Sequence, residues 1–364
     1  MPDWTKPMTQ TYEFCIVDPN TWGDVSQLNE VTDCSINRDS GADTLGSASI
    51  STTETISETY IRVYMVTIQN GIKERIPLGT HLVQSPSLKY DGRMKYIGNV
   101  ALPYMNSSMD CYTPLLELKD TKPPVGYTIP KGTNIMSTAY KIIKENCRAP
   151  ISPVTCSETL YSDFTANPDE DWLKYVRDLI AMAKFHLELE PSGRIIFAQD
   201  YTLDELQPVW TYTDDNSSIL LPEVSLARDL YGVPNTVEVI YTSGNTNNAF
   251  YSKIVNDDPD SPISTVNRGR TVLHRVINPD VPGKMDQVSL NDYATKLLKR
   301  LSSLEYTISY SHGYCPVRVG DCIRFDYKSI GLNNIKAIVK TQSIKCETGA
   351  EVQETATFTT KLWR

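Results

Sequence analysis

The run TYIRVYMVTIQNGIKERIPLGTHLVQSP, residues 59–86, constrains the fold more than any other part of this chain. β-branched and aromatic residues fill both halves, and Asn70-Gly71 lies between them. A type I′ turn needs positive φ at both central residues, which Asn and Gly accept at the least steric cost. The run therefore predicts a β-hairpin. Asp91-Gly92 in LKYDGRMKYIGNVAL is expected to repeat the device. TYEFCIVD, TDCSINRD and LGSASIST add short strand runs ahead of it. Residues 1–119 are thus expected to form an antiparallel sheet, closed or nearly closed into a barrel.

The pattern changes period after that. Ile135 to Cys147 reads as a helix with Ile135, Ala139, Ile142 and Ile143 on one face and Thr133 or Asn134 as its cap. Residues 168–184 read as a second helix, striped by Trp172, Leu173, Val176, Leu179, Ile180 and Ala183. Asp169, Glu170 and Asp171 stand in its first turn, where the helix dipole favours anions. FHLELEPSGRIIFAQD then alternates around a Pro-Ser-Gly turn, as a hairpin would. Residues 120–225 are expected to be an inserted α/β unit. Strand character returns in NTVEVIYTS and AFYSKIV, and again from residue 304 to the end. Residues 226–255 and 304–364 are assigned to a second, discontinuous β-barrel domain. Between them, 256–303 holds a loop and a helix, opened by Ser289-x-x-Asp292, that are expected to join the inserted unit.

Two distant segments resemble each other. LVQSPSLKYDG (82–92) and IVKTQSIKCETG (338–349) match in Leu/Ile, Val/Val, Ser87/Ser343, Leu88/Ile344 and Lys89/Lys345. Each then enters a glycine turn, the second at Gly349. Such internal similarity has two readings: chance likeness of two amphipathic hairpins, or a duplicated β unit with a helical unit between the copies. Val317 to Tyr327, VRVGDCIRFDY, alternates apolar and polar residues just before the second segment. Gly320-Asp321 is read there as a bend or bulge, and Cys315 and Cys322 as strand residues.

The chemistry-bearing residues give little. Eight cysteines include no Cys-x-x-Cys pair, and four histidines are scattered. His312 with Cys315 and Cys322 is the nearest approach to a zinc set, but zinc sites use tight paired spacings. Small reduced side chains packed in strands are the simpler reading, so no metal and no cofactor is expected. Asp257, Asp258 and Asp260 share one loop that lacks the mid-loop glycine and final glutamate of a calcium hand. Tyr60, Tyr64, Tyr90 and Tyr96 would suit either a sugar platform or cross-strand packing, with packing preferred. Phosphate loops, nucleophile elbows and zinc-protease motifs are missing. Acidic residues outnumber basic ones, 44 to 35, for a net charge of −9. That argues against gripping nucleic acid. No apolar run reaches membrane-span length, and MPDWTKPMTQ does not read as a secretion signal.

Several segments together resemble the phage tail baseplate hub proteins of the gp27-like and XkdQ-like type. They are RVYMVTIQNGIKERIPLGTHLVQSPSLKYDG, YTIPKGTNI, RDLYGVPNTVEVIYTS, NDDPDSPISTVNRGR, the Leu290–Leu301 helix and VGDCIRF. They occur in the family's order over nearly the whole chain, and the specificity lies in that order. The resemblance implies an α+β, mostly β fold: two tube-like antiparallel β-barrel domains with an inserted helix-containing domain. It implies a structural protein with no catalytic residues to carry over. It further implies a homotrimer whose six barrels join a hexameric tail tube, or a distal tube adaptor, to a trimeric spike. Other baseplate proteins would surround it. Double-stranded DNA would pass through the channel without specific binding. The protein would reside in the virion's tail baseplate after assembly in the host cytoplasm. Two other classes stay in view: a tail-associated cell-wall hydrolase and a host-glycan-binding module.

Overall fold

A computed structural model describes residues 2–54, 56–98, 100–215, 218–228, 230–242, 249–279 and 286–363, with backbone only at 91, 95–97, 100 and 102–105. Strands take 48% of the chain and helices 14%, so the fold is mostly β, built on large antiparallel sheets.

The chain begins with β1 (Thr9–Val17), β2 (Asp24–Leu28), β3 (Val31–Asp39), β4 (Gly46–Thr52), β5 (Tyr60–Gln69), β6 (Ile72–Ile97) and β7 (Val100–Tyr112). A helical stretch follows: α1 (Leu116–Lys119), β8 (Thr128–Ile129), α2 (Ile135–Asn146), β9 (Phe164–Thr165), α3 (Trp172–Ala181), β10 (Phe185–Leu189) and β11 (Ile195–Gln199). Next come β12 (Trp210–Thr213), β13 (Leu220–Arg228), β14 (Thr236–Thr242), β15 (Ala249–Val255), α4 (Thr265–Arg268), β16 (Leu273–Ile277) and α5 (Gln287–Leu301). The chain closes with β17 (Ser303–Gly313), β18 (Cys322–Tyr327), β19 (Leu332–Lys345) and β20 (Glu351–Lys361).

The strand order contains a duplication. The early strands lie in the order β3-β4-β7-β6-β5, and the late strands in the order β13-β17-β20-β19-β18. Each late strand takes the place of one early strand, in the same chain order. An outer strand flanks each set, but the two differ in direction: β1 runs antiparallel to β5, whereas β12 runs parallel to β18. The two segments that resemble each other in sequence fall at matching places, in β6 and β19. The two sets join where β3 pairs antiparallel with the second half of β19, Ile36 opposite Ile344. Among the described residues the sheet stays open, so neither set closes into the barrel the sequence suggests.

Apolar cores form where the periodicities meet. In the first set, Ile36, Ile50, Ile61, Val63, Met65, Leu78, Val83 and Met109 are buried together. β5 is buried at every position from Tyr60 to Thr67, because packing covers both of its faces. The helical stretch has its own core of Leu118, Ile135, Ile142, Tyr175, Val176, Leu179 and their neighbours. Asn134 caps α2 by accepting from Ser137 N at 2.9 Å, and Asp171 caps α3 by accepting from Lys174 N at 2.7 Å.

The chain divides into two compact units, residues 1–223 with 310–355, and residues 224–309 with 356–364. In the second unit α5 packs Leu290, Ala294, Leu297 and Leu298 onto Val237 and Val239 of the small sheet β15-β14-β16. Within the stretch 256–303, it is α5 that lays its apolar stripe on β14 and β15. That stripe had no partner identifiable in sequence. The cap of α5 is Asp286, which accepts from Ser289 N at 2.8 Å, so the capping pair Ser289-Asp292 is one turn late.

Candidate functional site

The residues singled out as turns sit as follows. Asn70 (φ 52°) and Gly71 (φ 79°) connect β5 to β6, with Gln69 opposite Ile72. This is the positive-φ pair of a type I′ turn. Gly92 has φ 80° but is not a hairpin turn: β6 runs through it to Ile97, and the register slips between Tyr90 and Met94. Asp91 and Gly92 thus mark a bulge, and the ladder continues to the pair Ile97 and Val100. The side chain of Asp91 lies outside the described residues. Gly320 (φ 94°) and Asp321 close a turn in which Asp321 N donates to Arg318 O at 3.1 Å and Arg318 N donates to the Asp321 carboxylate at 2.8 Å. β18 starts only at Cys322, so Val317–Asp321 is not strand and Cys315 lies in a loop. A Gly-Asp turn needs the backbone for itself and interrupts the ladder. Gly349 (φ 81°) lies in the turn between β19 and β20.

Of the candidate tyrosines, Tyr60 and Tyr64 are buried in β5 and Tyr90 is exposed. The side chain of Tyr96 is outside the described residues. Tyr60 packs on Trp22, and the Tyr64 hydroxyl donates to Asp24 at 2.9 Å, so these two serve packing. The loop with Asp257, Asp258 and Asp260 is organised by its own bonds. Asp260 N donates to Asp258, and Asn267 Nδ2 donates to the Pro259 and Ser261 carbonyls. Among the described residues no group of three or more His, Cys, Asp or Glu side chains is arranged to hold a metal.

What the fold does assemble is a buried polar chain between β3, β17, β19 and β20. Glu354 on β20 is in phase with buried Val352, Ala356 and Phe358. Its Oε2 accepts from the Tyr310 hydroxyl at 2.5 Å and lies 3.2 Å from His312 Nε2. Its Oε1 accepts from Gln342 Nε2, which also donates to the Val317 carbonyl at 2.9 Å. Arg38 of β3 donates to Gln342 Oε1 and to the Leu78 carbonyl. Burial by itself would strip His312 of its proton. Cys315 and the Glu354 carboxylate outweigh that and push the imidazole up to about 10. Burial would likewise raise Glu354, yet His312 and the neighbouring donors hold it below the usual carboxylate range. The pair is an ion pair at neutral pH.

A thiol, an imidazole and a carboxylate in a row are also the parts of a nucleophilic site. Here Cys315 and His312 are fully buried and Glu354 is 2% exposed. His312 Nδ1 lies 2.6 Å from the Gly313 carbonyl and donates to it, while the Cys315 sulfur is 3.8 Å away. A protonated imidazole whose Nδ1 hydrogen is committed to the backbone, sealed from solvent and paired with Glu354, ties β17 to β20.

A second polar joint ties the Pro191-Ser192-Gly193 turn, between β10 and β11, to the first strand set. Arg62 donates Nε to Thr80 Oγ1 (2.9 Å), Nη1 to Asp24 (3.0 Å), and Nη2 to the carbonyls of Trp22 and Ser192 (3.2 and 3.1 Å). Trp22 Nε1 donates to the Ser192 carbonyl at 2.8 Å. A Cβ at Gly193 would come within 2.8 Å of both Thr80 Cβ and Trp22 Cζ2. Sequence reading passed over both joints. The signal was there for His312 and Glu354, which stand at strand positions with the parity of buried residues; Arg62 lies in a strand buried on both faces and carries no such mark. Beside the joint lies a cleft of about 950 Å³, lined by Arg38, His81, Arg177, Glu188, Arg318 and others. His186 at its wall is bracketed by Asp200 (2.7 Å) and Glu188 (3.2 Å), which keep its pKa raised.

The fold is thus mostly β, with a duplicated five-strand order and a helical stretch between the two strand sets. Two solved structures align with nearly all of it. A tail protein from Neisseria meningitidis MC58 matches with TM-score 0.57 and 13% identity over 96% of each chain. A 43 kDa tail protein of prophage MuSo2 from Shewanella oneidensis matches with TM-score 0.58 and 10% identity, over 96% of this chain and 98% of that one. Neither a family model nor a curated protein sequence matches. At such low identity the likeness is one of fold, and it agrees with the resemblance to gp27-like hubs noted in the sequence.

Proposed function

We propose that this chain is the structural baseplate hub of a phage or phage-derived tail. Three copies form a ring in which the two strand sets of each chain alternate as tube-like modules, six in all. The ring matches a sixfold tail tube on one side and a threefold spike on the other, and leaves a channel for DNA. It resides in the virion baseplate, is assembled in the host cytoplasm, and carries out no catalysis.

The observation that carries this reading is the duplication, β3-β4-β7-β6-β5 against β13-β17-β20-β19-β18. A chain with two equivalent modules turns threefold symmetry into pseudo-sixfold symmetry, which a single module per chain cannot do. The sealed His312–Glu354 chain supports a mechanical role, because its polar groups are spent on strand register. The test is the mass of the purified chain by light scattering, with negative-stain images of the same peak. A trimer with a central hole is expected; a compact monomer at high concentration overturns the reading.

A further inference from the structure

The longest hairpin outruns its sheet. β5 accompanies β6 only as far as Leu82, and β4 accompanies β7 only from Ser107 onward. Between those limits residues 88–97 pair solely with residues 100–107, among the described residues. The result is a two-stranded ribbon, open along both edges, with Leu88, Tyr90 and Met94 each more than half exposed. Leu88 and Tyr90, two apart, share one face. A two-stranded ribbon in water is marginal by itself, and open edges with large apolar side chains invite a partner. Charge says which partner. Residues 88–106 contain Lys89, Arg93 and Lys95 against Asp91, a net +2, which leaves −11 on the rest of this −9 chain. The ribbon is basic and apolar, and the body that carries it is acidic.

We propose that the ribbon of residues 88–106 docks on the acidic body of a second copy of this chain. Because ribbon and receiving surface differ, the contact is head-to-tail, and repetition around a threefold axis closes a ring. Leu88 and Tyr90 supply the apolar anchor, and Lys89 supplies charge-steered approach. The inference rests on the threefold assembly proposed above.

The test compares three full assemblies by light scattering across a concentration series: the native chain, a chain with residues 89–106 replaced by Asn-Gly, and the full-length triple variant Leu88→Ser, Tyr90→Ser, Met94→Ser. The triple variant alters only exposed side chains, so it keeps the fold even where the shortened one does not. The native chain is expected to be a trimer. Both variants should remain folded by circular dichroism and need at least about tenfold more protein to associate. Lys89→Glu should weaken association too, and salt should reduce the difference between it and the native chain. Variants that stay trimeric at native concentrations overturn the ribbon contact and leave the hub reading standing. A native chain that is monomeric overturns both. Variants that keep the trimer but lose attachment to another tail protein assign the ribbon to that protein, against the proposal.

Discussion

His312 Nε2 lies 3.2 Å from the Glu354 carboxylate, with both side chains sealed from solvent. Two charges taken from water in this way repay their desolvation only when every remaining donor and acceptor is met. Tyr310, Gln342 and the Gly313 carbonyl do that. Removing one partner leaves the other charged and alone. Glu354→Gln should therefore cost about 3–5 kcal/mol, read as a shift of the denaturant midpoint at unchanged slope.

The same pair sets a pH dependence. The folded-state pKa of His312 is raised from 6.5 to about 10, so its contribution is complete below pH 6.5 and is lost as pH climbs toward 10. Glu354 is depressed below 4.5, so its contribution is present above that value and is lost as pH falls through the folded-state pKa. The pair contributes most between pH 4.5 and 6.5. Urea midpoints measured from pH 6 to 10 should fall in the native chain and stay flatter in Glu354→Gln.

Two glycines with positive φ should behave differently. A Cβ at Gly71 (φ 79°) meets nothing within 4 Å, so Gly71→Val should cost only the backbone term, about 1–2 kcal/mol. Unchanged melting in that variant would rule out the turn. At Gly46 (φ 144°) a Cβ would lie 2.3 Å from the Asn37 carbonyl, in a ladder where β3 cannot move away. Gly46→Ala should lower the melting temperature more than Gly71→Ala does.

Arg62 holds four partners in one planar fork, and a lysine cannot reproduce that fork. Arg62→Lys should lose about 1.5–3 kcal/mol. Proteolysis should then cut the 190–194 turn faster, because the loss falls on the joint that seats it.

Thiol reactivity offers an independent check of burial. Six of the eight cysteines are buried, and only Cys156 and Cys346 are partly open. Burial pushes Cys111 and Cys147 up to about 12, which leaves almost no thiolate at neutral pH. A thiol reagent should label no more than two sites quickly in the native chain and all eight after unfolding.

A threefold ring would carry −27, three times −9. Purified ring should fail to retain duplex DNA at physiological salt in a mobility assay. Retention there would contradict free passage of DNA.

Local rules carried far in this chain. The Asn70-Gly71 turn, the cap at Asn134, the stripes of α2, α3 and α5, and the kinship of 82–92 with 338–349 could all be read from spacing, because each depends on residues close in sequence or on a repeated pattern. What spacing could not fix was decided by contacts between distant residues. Asp91-Gly92 looks like a turn, but the ladder between β6 and β7 continues past it, so it becomes a bulge. The helix near residue 290 carries its stripe plainly, yet only the β14–β15 surface determines where the stripe is buried. Arg38 meets Gln342 from 304 residues away, and Arg62 meets Ser192 from 130. A charged residue at a buried parity announces that a partner must exist, since an unpaired buried charge is too costly to keep. Which residue answers it is set by strand order, and strand order belongs to the tertiary structure.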